Sequence, residues 1–274
     1  MPRRKLFVVT PLLAMAVASF SLAGTASAPS ASASPVTRLS ADPMLLLARQ
    51  TPSVVSTNWS GYAASGSTYT AVQGKWVEPT ATCAPASTTD AFFWVGLDGY
   101  SDSTVEQDGT AANCVAGVPQ YYAWYEFYPA YSVPLPAATY PVAPGDLILS
   151  QVISSGTKFT INISDYGPSN SLKWTYTGAS TDTSAEKASA EWIAEAPGIC
   201  SDNTCTEAQL TDFGSVTFTV SGALSGGKKL PIGSLPGNTS ITMENDQGTV
   251  LARPAALTGS GESFTDTWYS SATS

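Results

Sequence analysis

Apolar and polar residues alternate in short runs along most of this chain, and Gly, Pro, Asn or Asp breaks each run. A period of two sends successive side chains to opposite faces of a pleated strand. The pattern predicts strands over Tyr69–Val77, Ala91–Leu97, Tyr121–Tyr128, Leu147–Ser154, Lys158–Asp165 and Leu172–Tyr176. It predicts further strands over Ala188–Ala194, Ser215–Ser221, Ser240–Asn245, Thr249–Ala252 and Ser263–Tyr269. No segment after residue 50 carries a long apolar period of 3.6. Thr181–Ala190 holds Ala, Glu and Lys, and reads as the loop leading into the next strand. Many short strands at this spacing predict an all-β fold, an antiparallel sandwich or barrel.

The N-terminus follows another pattern. Arg3-Arg4-Lys5 precedes a mostly apolar run from Leu6 to Leu22, followed by two small-residue cleavage candidates, Ala26-Ser27-Ala28 and Ala31-Ser32-Ala33. Residues 1–28 therefore read as a signal peptide, and the exported chain as one without a membrane anchor. Residues 29–55 are rich in Ala, Ser and Pro, and read as a pro-segment or flexible tether outside the fold. Residues 56–274 form the expected single domain. Export permits disulfides. Four cysteines allow three pairings. Cys200–Cys205 would close a tight loop, and Cys83–Cys114 would tie loops flanking the strand at Trp94. A zinc site is the competing reading, and the usual CxxC spacing is absent.

Composition narrows the chemistry. The chain has no histidine, which removes Ser-His-Asp and Cys-His catalysis as usually built, and HExxH zinc sites. The formal charge is −9, and after residue 50 seven basic residues face twenty acidic ones. Such a chain repels phosphates, so no nucleic-acid partner is expected. Only 12% of residues are charged. Few ion pairs are then lost when carboxylates protonate, which favours acid tolerance.

Candidate chemistry sits inside the apolar strands. In Ala190-Glu191-Trp192-Ile-Ala-Glu195, alternation puts Glu191, Ile193 and Glu195 on one face and Trp192 and Ala194 on the other. A carboxyl there loses water, which tunes its acid–base behaviour; a solvated sheet face is the plainer alternative. In Val105-Glu106-Gln107-Asp108-Gly109, Val105 and Gln107 share a face; the alternative is a polar strand ending in an Asp108-Gly109 turn. Trp94 and Asp98 stand four apart on one predicted strand, and Trp59 begins the domain. Trp124, Glu126 and Tyr128 alternate with Tyr125 and Phe127. Aromatics on both faces suit a groove that binds an extended polymer.

Six segments in order make this pattern specific: Asn58-Trp59-Ser-Gly, Trp94-Val-Gly-Leu-Asp98-Gly, Gln107-Asp-Gly, Ala123-Trp124-Tyr125-Glu126-Phe-Tyr-Pro129, Ala190-Glu191-Trp192-Ile and Asp212-Phe213-Gly214. Across residues 57 to 269 the chain resembles the glutamic peptidases, or eqolisins. The resemblance implies a sandwich of two large antiparallel sheets, of jelly-roll or concanavalin-like form. It also implies a catalytic dyad of Glu191 and Gln107, with Trp59, Trp94, Asp98 and Glu126 lining or supporting the cleft. The implied protein is a secreted, monomeric acid endopeptidase acting on protein or peptide substrates without metal or cofactor. One departure stands out: Tyr122 occupies a place, two before Trp124, where better-known members often carry an acid. Apart from the resemblance, the residues also allow a glycoside hydrolase pairing Glu191 with Glu126 or Asp98, or a non-catalytic carbohydrate- or peptide-binding sandwich.

Overall fold

Period-two alternation resolves into strands almost throughout a computed structural model, which describes residues 38–40, 43, 54–201 and 204–272. The signal-peptide reading and most of segment 29–55 lie outside the described residues. The first half of the chain gives β1 Arg38–Ser40, β2 Val54–Ser56, β3 Trp59–Ser65, β4 Tyr69–Val77, β5 Phe92–Leu97, β6 Val105–Val115, β7 Val118–Tyr128, β8 Val133–Pro134, β9 Leu147–Ser155 and β10 Lys158–Asp165. The second half gives β11 Trp174–Thr181, β12 Ser189–Glu195, β13 Gly198–Ser201, β14 Thr204–Glu207, β15 Ser215–Ser225, β16 Lys228–Pro231, β17 Thr239–Glu244, β18 Val250–Pro254 and β19 Phe264–Trp268. Among the described residues no α-helix occurs; Ile232–Ser234 forms a single 3-10 turn. The span from 182 to 188 is a loop, as the sequence suggested.

The strands build two large antiparallel sheets. One runs β8-β7-β6-β5-β12-β3-β17-β18-β19-β15, with β2 added parallel to β17; the other runs β15-β4-β9-β10-β11, with β16 beside β15. β15 belongs to both. Its first half pairs with β19 and its second half with β4, with a register shift between Thr219 and Gly222. Val220 there adopts φ 53°. Such a bulge bends a strand sharply enough to turn a sheet corner.

Between the sheets lies the main core. Phe93, Val95, Leu97 and Trp192 of the first sheet meet Val72, Trp76, Ile148, Val152, Phe159 and Ile161 of the second. Polar ties cross it: Trp192 Nε1 donates to the Gln73 carbonyl at 2.8 Å, and Trp76 Nε1 donates to Thr110 Oγ1 at 2.9 Å. Asp108 is buried on this inner face and accepts a hydrogen bond from the Ser150 hydroxyl of β9. A second, smaller cluster covers the outer face of the first sheet, and it includes Trp59, Phe92, Trp94, Trp124 and Ile193. That face carries the site.

Both cysteine pairs are bonded as the spacing suggested, Cys83 to Cys114 and Cys200 to Cys205. Cys200 and Cys205 face each other across the β13–β14 hairpin. This hairpin and β1 make a separate three-stranded sheet. The segment set apart by its composition thus contributes β1, and it also contributes β2 on β17.

Candidate active site

Strand register decides which of the singled-out residues meet. Glu191 of β12 is paired with Ala63 on one side and Gly96 on the other; Gly96 is paired with Gln107, and Gln107 with Glu126. Directly paired residues of an antiparallel sheet project to the same face. The row Ala63, Glu191, Gly96, Gln107, Glu126 therefore brings three of the candidate side chains onto one face. Two strand spacings separate Glu191 from Gln107, about 10 Å between Cα atoms. Both side chains are long enough to converge over the residue between them.

That residue is a glycine for a steric reason. A Cβ on Gly96 would lie 2.9 Å from Trp94 Cζ3 and 3.2 Å from Gln107 Cβ. The Trp94 ring and the Gln107 stem occupy that space. Trp94 itself stands one row along, paired with Ile193 and with Gly109. Gly109 is not a turn residue, and β6 runs straight through Asp108-Gly109 to Val115. A Cβ at position 109 would come within 2.1 Å of the Phe93 carbonyl oxygen and 2.7 Å of Trp94 Cβ. The glycine permits close approach of β5, which is why the turn reading fails.

The aromatic floor is fixed by its own contacts. Trp59 meets Trp94 edge-on with ring centroids 4.9 Å apart. Trp94 Nε1 donates to Glu195 Oε2 at 2.7 Å. Glu195 shares the Glu191 face, as the alternation required, but neither glutamate is solvated; both are fully buried. The sequence did not assign Glu195 a role, although its place four residues after Glu191 was visible. Phe92 packs on Trp124 at 4.5 Å and meets the Tyr122 edge at 6.3 Å. Asn113 Nδ2 donates to the Tyr122 hydroxyl at 3.2 Å.

Asp98 takes a different position from the one its spacing suggested. β5 ends at Leu97, and Asp98 adopts φ 70°. Its carboxyl accepts from the backbone N–H of Lys187 at 2.8 Å and of Ala188 at 2.6 Å. It therefore pins the loop that delivers β12, and with it Glu191. Burial and the nearby Asp102 charge push Asp98 up to about 6, against the two backbone donors.

Electrostatics around Glu191 and Gln107 are set by burial. Gln107 Nε2 donates to Glu126 Oε2 at 3.1 Å, which orients the amide, and Ser40 Oγ donates to Glu126 Oε1 at 2.8 Å. Neither Glu191 oxygen sits in hydrogen-bond geometry with a protein donor among the described residues. Burial pushes the Glu191 carboxyl well above the ordinary glutamate range; the neighbouring Ser189 hydroxyl opposes this, while Asp98, Asp102 and Glu106 add to it. Glu106, on the opposite face from Gln107, is itself pushed up to about 9, first by burial and then by Asp98.

A model of the Peptidase A4 family matches residues 57–265. Aspergillopepsin-2 of Aspergillus niger is 27% identical over 233 residues, covering 78% of each chain. The crystal structure of scytalido-glutamic peptidase with a transition state analog inhibitor superposes with a TM-score of 0.66 at 21% identity, covering 78% of this chain and 98% of that one. The aspergilloglutamic peptidase of Aspergillus niger superposes with a TM-score of 0.55 at 28% identity, covering 66% and 99%. From the sequence segments, the sandwich and these matches together, the chain belongs to the peptidase A4 family, the glutamic peptidases or eqolisins, and is a glutamic endopeptidase.

Proposed function

We propose that Glu191 and Gln107 form the catalytic dyad of a secreted acid endopeptidase. The observation that carries the reading is the single row across the sheet, Glu191, Gly96, Gln107, Glu126. It sets a carboxyl and an oriented amide on either side of a residue that has no side chain, above an aromatic floor. A carboxyl able to take up a proton and an amide able to donate to an oxyanion are the two groups that peptide hydrolysis needs.

In the proposed cycle, ionised Glu191 removes a proton from water as the oxygen attacks the carbonyl carbon, and later gives that proton to the departing nitrogen. Gln107 donates an N–H to Glu126, and its amide oxygen helps hold the water. Its second N–H donates to the tetrahedral oxyanion, a contribution of roughly 3 kcal/mol to the barrier. Burial raises the affinity of Glu191 for its proton. An acidic medium lowers part of that pressure, because the neighbouring Asp98, raised to about 6, is then neutral. Hydration of an opened cleft removes more of it.

The basic and apolar N-terminus and the two disulfides support export. We read residues 1–28 as the signal peptide, residues 29–55 as a pro-segment or tether, and the mature protein as a monomer that needs no metal or cofactor. The test is incubation of the purified chain with denatured casein between pH 2 and 6, with and without pepstatin. Acid-dependent cleavage that ignores pepstatin is expected. Cleavage blocked by pepstatin, or hydrolysis of β-glucans in place of casein, would overturn the proposal.

A further inference from the structure

Away from the cleft, a second polar pocket of about 460 Å³ opens at one end of the sandwich. Its walls come from the 82–89 loop, from Gln209 and Asp212, and from the tail between Trp268 and Ser271. Thr89 in its lining pairs with Cys114, which stands seven residues beyond Gln107 on β6. At about 3.3 Å per residue that is roughly 23 Å along the strand. Alternation also groups Thr89 with Ala91 and Phe93, which face the main core, whereas Phe92 and Trp94 face outward with the dyad. The pocket is therefore separate from the site described above.

Its walls are fixed by bonds of their own. Thr82 N–H donates to the Asp212 carbonyl at 2.8 Å, and the Cys83–Cys114 bond ties the same loop to β6. The tail is held by Gln209 Nε2, which donates to the Ser271 carbonyl, and by Ser271 Oγ, which donates to the Leu210 carbonyl, both at 2.6 Å. A pocket formed in advance loses little freedom when a ligand enters. Two polar groups in it are left incomplete. Trp268 Nε1 is buried and has no acceptor among the described residues. Asp212 accepts the Gly214 N–H at 3.0 Å through Oδ1, and no described residue donates to its other oxygen. Beside them, the Tyr269 ring is 49% exposed, with the Arg253 guanidinium 5.1 Å from its centroid over one face.

The lining selects a class of ligand. It holds no lysine or arginine, so an anion finds no counter-charge, and Ala84 is its one aliphatic side chain, so a lipid finds no apolar seat. What it offers is two aromatic rings beside hydroxyls, an amide and a carboxylate. A sugar ring matches that set. Its C–H faces lie against aromatic rings, and each of its hydroxyls both donates and accepts. One sugar oxygen completes the Trp268 N–H, and one sugar hydroxyl completes Asp212. The volume falls in the range of about 300–1,000 Å³ usual for small-ligand sites. We propose that this pocket binds one or two sugar units of a neutral glycan, and so holds the protein on a polysaccharide while the dyad stays open to peptides. The binding does not depend on the dyad's chemistry, so either reading can fail without the other.

The experiment has two arms on the full-length chain. In the first, the chain is titrated by calorimetry at acid pH with laminaritetraose, cellotetraose, chitotetraose and mannotetraose. Saturable binding of at least one of them is expected, at one site per chain. Tyr269→Ala and Asp212→Asn should each weaken it at least tenfold, and Trp268→Phe, which keeps a ring but removes the N–H, at least threefold. All three variants should keep the parent's urea midpoint. Failure of every tetrasaccharide to bind, or an affinity unchanged in all three folded variants, would overturn the proposal. In the second arm, initial rates of peptide hydrolysis are measured with and without a saturating amount of the sugar that binds. Unchanged kcat and KM are expected, for the parent and for Tyr269→Ala and Asp212→Asn alike. Competitive inhibition would place the sugar in the catalytic cleft and overturn the proposal. A chain that binds the sugar through Tyr269 and Asp212 but hydrolyses no peptide would sink the peptidase reading and leave the sugar pocket standing.

Discussion

Asp266 links the fold to pH in a way that one substitution exposes. It is fully buried and accepts a hydrogen bond from Ser60 Oγ at 2.9 Å. Burial raises it from 3.8 to about 7, against the pull of Ser60 and a backbone donor. A carboxyl whose folded pKa lies above its unfolded value holds a proton that the unfolded chain releases first. Its stabilising share is complete below about pH 4 and drains away as pH rises towards 7. The difference of about 3 pH units corresponds to about 4 kcal/mol lost by pH 8. Glu78, buried beneath Thr110 and raised by that burial to about 8, adds a loss of about 5 kcal/mol over the same climb. Together these match the whole stability of an ordinary domain, roughly 5–15 kcal/mol. The fold is therefore expected to be most stable in acid and to weaken as pH rises towards 8. Asp266→Asn keeps an acceptor for Ser60 but never has to lose a proton. Urea unfolding followed by tryptophan fluorescence, from pH 3 to 9, should show the parent weakening steeply above pH 6. The variant should differ by about 1 kcal/mol at pH 4 yet gain up to about 4 kcal/mol over the parent at pH 8. A parent curve flat between pH 4 and 8, or a variant offset equal at both ends, would refute the reasoning.

Other substitutions probe the site itself. Gly96→Ala places a methyl 2.9 Å from the Trp94 ring and 3.2 Å from Gln107 Cβ; it should cost about 1–3 kcal/mol of stability and lower kcat at least tenfold, read by thermal unfolding and initial rates. Trp94→Phe removes the donor to buried Glu195; a loss of about 1–3 kcal/mol is expected in urea unfolding. Asp98→Asn turns an amide N–H or a lone oxygen towards two backbone donors. It should free the 182–188 loop for amide exchange and depress kcat more than it raises KM, since Glu191 is what that loop positions.

Much of the site was legible because strand periodicity is rigid. The faces of Glu191 and Gln107, and the Ala-Glu-Trp context that signals burial, follow from a period of two. The register that aligns 191, 96, 107 and 126 does not, because it depends on four strands from separate parts of the chain. Gly109 misled for a related reason. Asp-Gly is a common turn signal, and only the packing of Trp94 against β6 shows that this glycine serves close approach. The corner at Val220 left no sequence signal, since a β-branched residue is disfavoured at positive φ and is held there only by the two sheets it joins. β1 was missed because Ala, Ser and Pro around it dilute a three-residue strand whose stability comes from β13 and the aromatic floor.

The central claim concerns two side chains, and one kinetic measurement addresses it. Initial rates of peptide hydrolysis at the acid optimum are compared for the acid-incubated parent, Glu191→Gln and Gln107→Ala, with the urea midpoint of each measured alongside. The dyad predicts losses of at least a thousandfold for the first and a hundredfold for the second, with midpoints close to the parent's. A folded variant at either position that hydrolyses peptides at the parental rate would contradict it.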